Sequence, residues 1–155
     1  MRPANPGALR LTQGTAWALK AMTGLVLAGG KAVSVGELAR REGIPPTFLA
    51  KIVRVLVRAG LLTARPGRAG GVKLARDPAA IQVLAVIEAC EGPLARTTCL
   101  YYAGRPCLGP ECEVFCTIRA VEEGARRDLA RASLRELVDS LAVHPDRLPL
   151  TGTSA

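Results

Sequence analysis

The sequence predicts a mainly α-helical chain interrupted once by a short β-hairpin. Three observations carry that expectation. Apolar residues recur at helical spacing through most of the chain. Glycine, proline and Ser-x-x-Glu signals punctuate the segments. One stretch alone, LLTARPGRAGGVKLA, turns into strand-like runs around a glycine-rich turn. The 155 residues suit one domain of ordinary size, or a small domain plus an appendage. Apolar residues make up 49% but only five residues are aromatic, so the core must be built from Leu, Val, Ile and Ala.

Residues 11–27 are apolar around Trp17, Met22 and Leu25 and end at Gly29-Gly30, which predicts a buried first helix. In SVGELARREG, Ser34 and Glu37 have capping-box spacing and Gly43 stands where a C-cap belongs, so a helix of about two turns is expected. Pro45-Pro46 open a third helix, TFLAKIVRVLVRAG, which stops at Gly60. Two helices about a tight turn form the helix-turn-helix pattern. On the third helix Phe48, Leu49, Ile52, Val53 and Leu56 make an apolar side. Thr47, Lys51, Arg54 and Arg58 fall at i, i+4, i+7 and i+11, a single stripe. A row of donors without acids suits a groove of phosphates and base edges; the plain alternative is a solvated basic face.

Residues 61–65 and 72–75 read as two strands, with PGRAGG supplying the positive-φ positions of a hairpin turn. A hairpin directly after a helix-turn-helix is a wing. Arg65 and Arg68 stand at or near its tip, within reach of a DNA backbone or minor groove. The fold expected is therefore a winged helix-turn-helix. Asp77 caps a fourth helix through Glu91, whose Ile81, Leu84, Ala85 and Ile87 face the core. A cysteine-rich loop follows, and then one helix over residues 116–142, about 40 Å long. Its seam of Ile118, Val121, Ala125, Leu129 and Leu134 suits a second copy of the chain; folding back on its own domain is the alternative. The organisation expected is a DNA-binding domain over 1–92, a cysteine-rich loop over 93–116, a dimerisation helix over 117–142 and a disordered tail over 143–155.

Charge divides along the same line. Residues 1–76 hold thirteen Lys and Arg against two acids, whereas residues 77–155 hold eight against eleven. A basic half joined to an acidic half points to a polyanionic partner for the first, with nucleic acid ahead of a membrane surface. No apolar run of about 18 residues and no leader-like N-terminus is present, so a cytosolic protein is expected.

Four of the five cysteines lie in TCLYYAGRPCLGPECEVFCT, spaced Cys99-x7-Cys107-x4-Cys112-x3-Cys116. In a reducing compartment clustered thiols are ligands or sensors rather than disulfides. Zinc knuckles favour paired C-x2-C units, and none exists here. Wider spacing suits an iron–sulfur cluster; zinc, redox-sensing thiols and a disulfide stay open on spacing alone. Cys90, among apolar residues of the fourth helix, reads as ordinary core.

LRLTQGTAWALKAM, the segment from SVGELARREG to GGVKLA, AVIEACEGPL and the cysteine loop running into CTIRAVEEGARRDL resemble the bacterial IscR/NsrR-type winged-helix regulators over residues 9–141. The resemblance implies a homodimeric repressor of palindromic promoter sites whose cysteines hold a [2Fe-2S] or [4Fe-4S] cluster. Cys99, Cys107 and Cys116 match the three family cysteines. The family's fourth ligand varies. Where some members place a histidine this chain has Arg119, and where others place an acid it has Ala16. Cys112 either completes the set, replaces Cys107, or leaves one position open. The wing, Arg65-Pro66-Gly67-Arg68-Ala69-Gly70-Gly71, and Ala50-Lys51 of the third helix also depart from the family pattern, so the target sequence is not inherited. A cluster-free regulator using thiol sensing or zinc is the second reading. A redox enzyme or electron carrier finds no G-x-G-x-x-G unit, no P-loop and one histidine, His144, in the tail.

Overall fold

The structure, a computed structural model, describes residues 11–67, 70–94 and 112–142. The chain runs α1 (Gln13–Leu27), α2 (Val35–Glu42), α3 (Pro46–Arg58), β1 (Leu62–Arg65), β2 (Gly71–Leu74), a 3-10 turn (Pro78–Ala80), α4 (Val83–Glu91), α5 (Glu113–Arg131) and α6 (Leu134–Ala142). This is the expected mainly helical winged helix-turn-helix.

Local chemistry sets the element ends. Thr12 caps α1 by accepting the Thr15 N–H at 3.3 Å. Ser34 caps α2, accepting the Glu37 N–H at 3.1 Å, and Gly43 closes it in the left-handed region at φ 63°. The Glu37 side chain does not complete the expected capping box; it binds Arg40 at 2.9 Å and Arg41 at 2.6 Å. Pro45 and Pro46 open α3.

β1 and β2 pair antiparallel, Leu62 opposite Leu74 and Arg65 opposite Gly71. A third element joins the hairpin edge: Val33 and Val72 exchange backbone bonds of 2.9 and 2.8 Å. That approach explains Gly71, where a Cβ would lie 2.6 Å from the Val33 carbonyl oxygen. The core lies beneath, with Met22, Leu25, Leu38, Leu49, Leu56, Leu61, Val72 and Ile81 all within 2% of full burial. Each such side chain contributes about 1.5–3 kcal/mol.

Two helices differ from expectation. The fourth does not start at Asp77: that residue caps the 3-10 turn, the backbone becomes extended at Ile81, and α4 begins at Val83. The single helix expected over 116–142 is two, because Ala132 is extended at φ −80°, ψ 122°. The two breaks satisfy each other. Val83 N–H donates to the Ala132 carbonyl and Leu134 N–H to the Ile81 carbonyl, both at 2.8 Å. Backbone groups released from two helices are thereby paired rather than orphaned. Ser133 and Glu136 then build a complete capping box for α6, with the Glu136 N–H on Ser133 Oγ at 3.2 Å and the Ser133 N–H on Glu136 Oε2 at 2.8 Å. Leu134 and Val138 carry α6 into the core against α1. Of α5 and α6, α5 alone stays out of the core. None of its 19 residues is buried, and Val114 and Val121 are 57% and 61% exposed. It leans on α4, where Arg126 Nε meets Glu88 Oε1 at 3.2 Å.

Candidate nucleic-acid interface

Helix α3 separates its two chemistries as its periodicity requires. Leu49, Ile52, Val53 and Leu56 are buried, while Thr47, Lys51, Arg54 and Arg58 are all exposed along the opposite stripe. No acid pairs with Lys51, Arg54, Arg58 or Arg65 among the described residues. These cations can therefore exchange water and counterions for phosphates without first breaking a salt bridge. Between α3 and the wing runs an open groove of about 530 Å³, lined by Val53, Arg54, Val57, Arg58 and Ala64. Arg65 is exposed at the end of β1, and Arg68 lies outside the described residues.

Phe48 departs from its expected place on the buried side: it is 50% exposed. It stands at the rim of the apolar face, and α1 supplies a cover, the ring of Trp17 lying 5.3 Å away at 57°. The Lys51 ammonium lies 5.6 Å from the Phe48 centroid, so an aromatic and a cation of the recognition helix are ordered together. Sequence reasoning placed Trp17 and Phe48 in separate helices and had no signal for their meeting.

The N-terminal end of α1 is tied to α4. The Glu91 carboxylate accepts the Thr12 N–H at 2.7 Å and the buried Thr15 hydroxyl. These bonds hold its carboxyl below the ordinary range, Thr15 contributing most. Cys90 next to it is half-buried against the core, as expected; burial, then the Glu91 charge, push its thiol up, against a Thr15 hydrogen bond.

Of the four loop cysteines, Cys99 and Cys107 lie outside the described residues. Cys112 is the half-buried N-cap residue of α5, and Cys116 is exposed one turn later, its N–H donating to the Cys112 carbonyl at 2.9 Å. No group of three or more His, Cys, Asp or Glu able to hold a metal occurs among the described residues. No helix among them is long and apolar enough to cross a membrane.

Comparison with known proteins agrees with this geometry. A regulator of Mycobacterium tuberculosis H37Rv, the HTH-type protein Rv1287, is 33% identical over 143 residues, 86% of this chain and 89% of that one. The HTH-type transcriptional regulator NsrR of Geobacillus kaustophilus is 29% identical over 136 residues, 86% and 92% of the two chains. The fold is shared with CymR, the global cysteine regulator of B. subtilis (TM-score 0.70, 22% identity, 85% and 98% covered). It is shared equally with IscR of T. potens (TM-score 0.67, 24% identity, 86% and 89% covered). These relatives are transcriptional regulators rather than enzymes. The family model named Rrf2, described as an iron-dependent transcriptional regulator, matches residues 11–140, and this chain belongs to that family of DNA-binding transcriptional regulators.

Proposed function

We propose that this regulator is a homodimeric repressor whose grip on palindromic promoter DNA is set by an iron–sulfur cluster held at the start of α5. Thr47, Lys51, Arg54 and Arg58 would enter a major groove, and Arg65 and Arg68 of the wing would meet the adjoining backbone. The exposed apolar residues of α5, Val114 and Val121, suit a second copy of the same helix. Two-fold pairing there would set two recognition helices about 34 Å apart.

The observation that carries the cluster reading is the placement of Cys112 and Cys116. They lie one turn apart at the N-terminal end of a helix, where partial positive charge favours anionic ligands. Two cysteines one turn apart fit a cluster in donor type, with Cys99 and Cys107 of the same segment as the remaining thiolates. A bound cluster supplies a crosslink that oxidants or nitric oxide can dismantle. The chain's own contribution is mechanical. The α5 that begins at these cysteines is joined to α4 through Arg126 and Glu88, and α4 is joined to α1 through Glu91. A ligand-dependent tilt of α5 would therefore change the separation of the two α3 helices. A coupling of about 1–3 kcal/mol would alter occupancy roughly 5- to 150-fold.

Cluster-free thiol sensing, or structural zinc, is the second reading. CymR, the global cysteine regulator, shares this fold as IscR does, so the fold accommodates both readings. One experiment separates the two: purification without oxygen, a visible spectrum, iron and acid-labile sulfide assays, then gel shifts with and without cluster. A coloured, iron- and sulfide-bearing protein with altered promoter affinity is expected. A colourless zinc-loaded product, or equal affinity of both forms, would overturn the cluster reading. Cys112→Ser with unchanged iron content would remove that residue from the ligand set.

A further inference from the structure

A second open groove, about 410 Å³, runs along the outer face of the wing and is lined by Gly30, Ala32, Thr63, Arg65, Gly71 and Lys73. Strand alternation puts these residues there. Leu62 and Val72 turn into the core, Ala64 lines the groove beside α3, and Thr63, Arg65 and Lys73 point the other way. Thr63 is directly opposite Lys73 and Arg65 is opposite Gly71. All three outer side chains are exposed, and neither cation forms an ion pair among the described residues.

Cations therefore stand on both sides of the hairpin: Arg54 and Arg58 of α3 flank the inner groove, and Arg65 and Lys73 of the hairpin itself flank the outer one. A wing lodged in a minor groove has one phosphodiester strand on each side of it. We propose that the outer face of the wing is a second phosphate-contact surface: Thr63, Arg65 and Lys73 engage the DNA strand across the minor groove from the one nearest α3. The partner is the backbone of duplex DNA, recognised by charge and a hydroxyl donor and carrying no base information. This inference rests on the DNA-binding reading and extends its footprint beyond the recognition helix and wing tip.

The test is a salt titration of the full chain on a fluorescent mixed-sequence duplex several helical turns long, read by anisotropy. Each phosphate contact contributes about 0.9 to the slope of log affinity against log salt. Lys73→Gln and Arg65→Gln should each reduce the slope by about that amount, the double variant by roughly twice as much. Lys73→Arg should restore it, and Arg127→Gln on α5 should leave it unchanged. A double variant that keeps the wild-type slope while Arg54→Gln lowers it would overturn the outer surface and leave the DNA-binding reading standing. A wild-type chain that fails to bind the duplex at low salt would overturn both.

Discussion

Replacing Glu42 with glutamine is expected to stabilise the protein at neutral pH, the reverse of what most substitutions at buried sites do. Glu42 ends α2 and is 4% exposed. Its Oε2 has no hydrogen-bond partner. The Lys20 ammonium comes close but donates to the backbone carbonyl of Glu42, not to the carboxylate. On the other side α1 presents Gly24, where a Cβ would lie 2.3 Å from Oε1. Burial raises the carboxyl above its ordinary 4.5, with the charges of Lys20 and Arg41 pulling the opposite way. The folded chain thus holds the proton more tightly than the unfolded chain. The contribution of Glu42 is fully present below the unfolded value and is lost as pH rises through the folded one. A buried unsatisfied polar group costs about 1–3 kcal/mol. Glutamine removes the charge but keeps one amide to satisfy, so a gain of about 1–2 kcal/mol is expected, or roughly 2–8 °C in Tm. Urea unfolding near pH 5 and again near pH 8 measures it, with the same m-value in both proteins. Glu91 and Glu136 titrate in the opposite sense, so the quantity to follow is variant minus wild type, which isolates position 42. The advantage of Glu42→Gln should grow from the lower pH to the higher. A variant less stable than wild type near pH 8, or a difference independent of pH, would refute the reasoning.

Gly24→Ala should destabilise by about 1–3 kcal/mol through overpacking, since the added methyl meets Glu42 and, at 3.3 Å, Leu38. Combining it with Glu42→Ala should recover part of that loss, which a double-mutant cycle reads as coupling. Ser133→Ala removes the N-cap of α6 and should cost about 1 kcal/mol by denaturant unfolding. The Ser133 N–H and hydroxyl lower the Glu136 carboxyl, a stabilisation present above its ordinary pKa and lost as pH falls through the folded value. The Ser133→Ala penalty should therefore shrink in acid. Arg54→Gln should weaken DNA binding almost uniformly across sequences and flatten its salt dependence by about 0.9, measured by anisotropy at several salt concentrations.

The helix-turn-helix and its wing were legible from residues 34 to 75 because every signal there is local. Ser34, Gly43 and Pro46 act on backbone groups within a turn of themselves, and the α3 stripe follows from 3.6-residue periodicity alone. The basic stripe emerged where expected for the same reason. The break at Ala132 carries a local mark, the capping-box spacing of Ser133-Leu134-Arg135-Glu136, which the expectation of one long helix did not use. What tips the balance is a partner 50 residues away: Ile81 and Val83 take up the backbone groups that the break releases. Exposure of Phe48, the docking of Trp17 beside it, the strand-like Val33 edge and the burial of Glu42 against Gly24 have the same origin. Sequence by itself determined the helix-turn-helix, its wing and the sign of their surfaces, because those depend on neighbours along the chain. Only the tertiary structure decided which faces meet and which helix stays whole, because those depend on polar groups and rings brought together from distant segments.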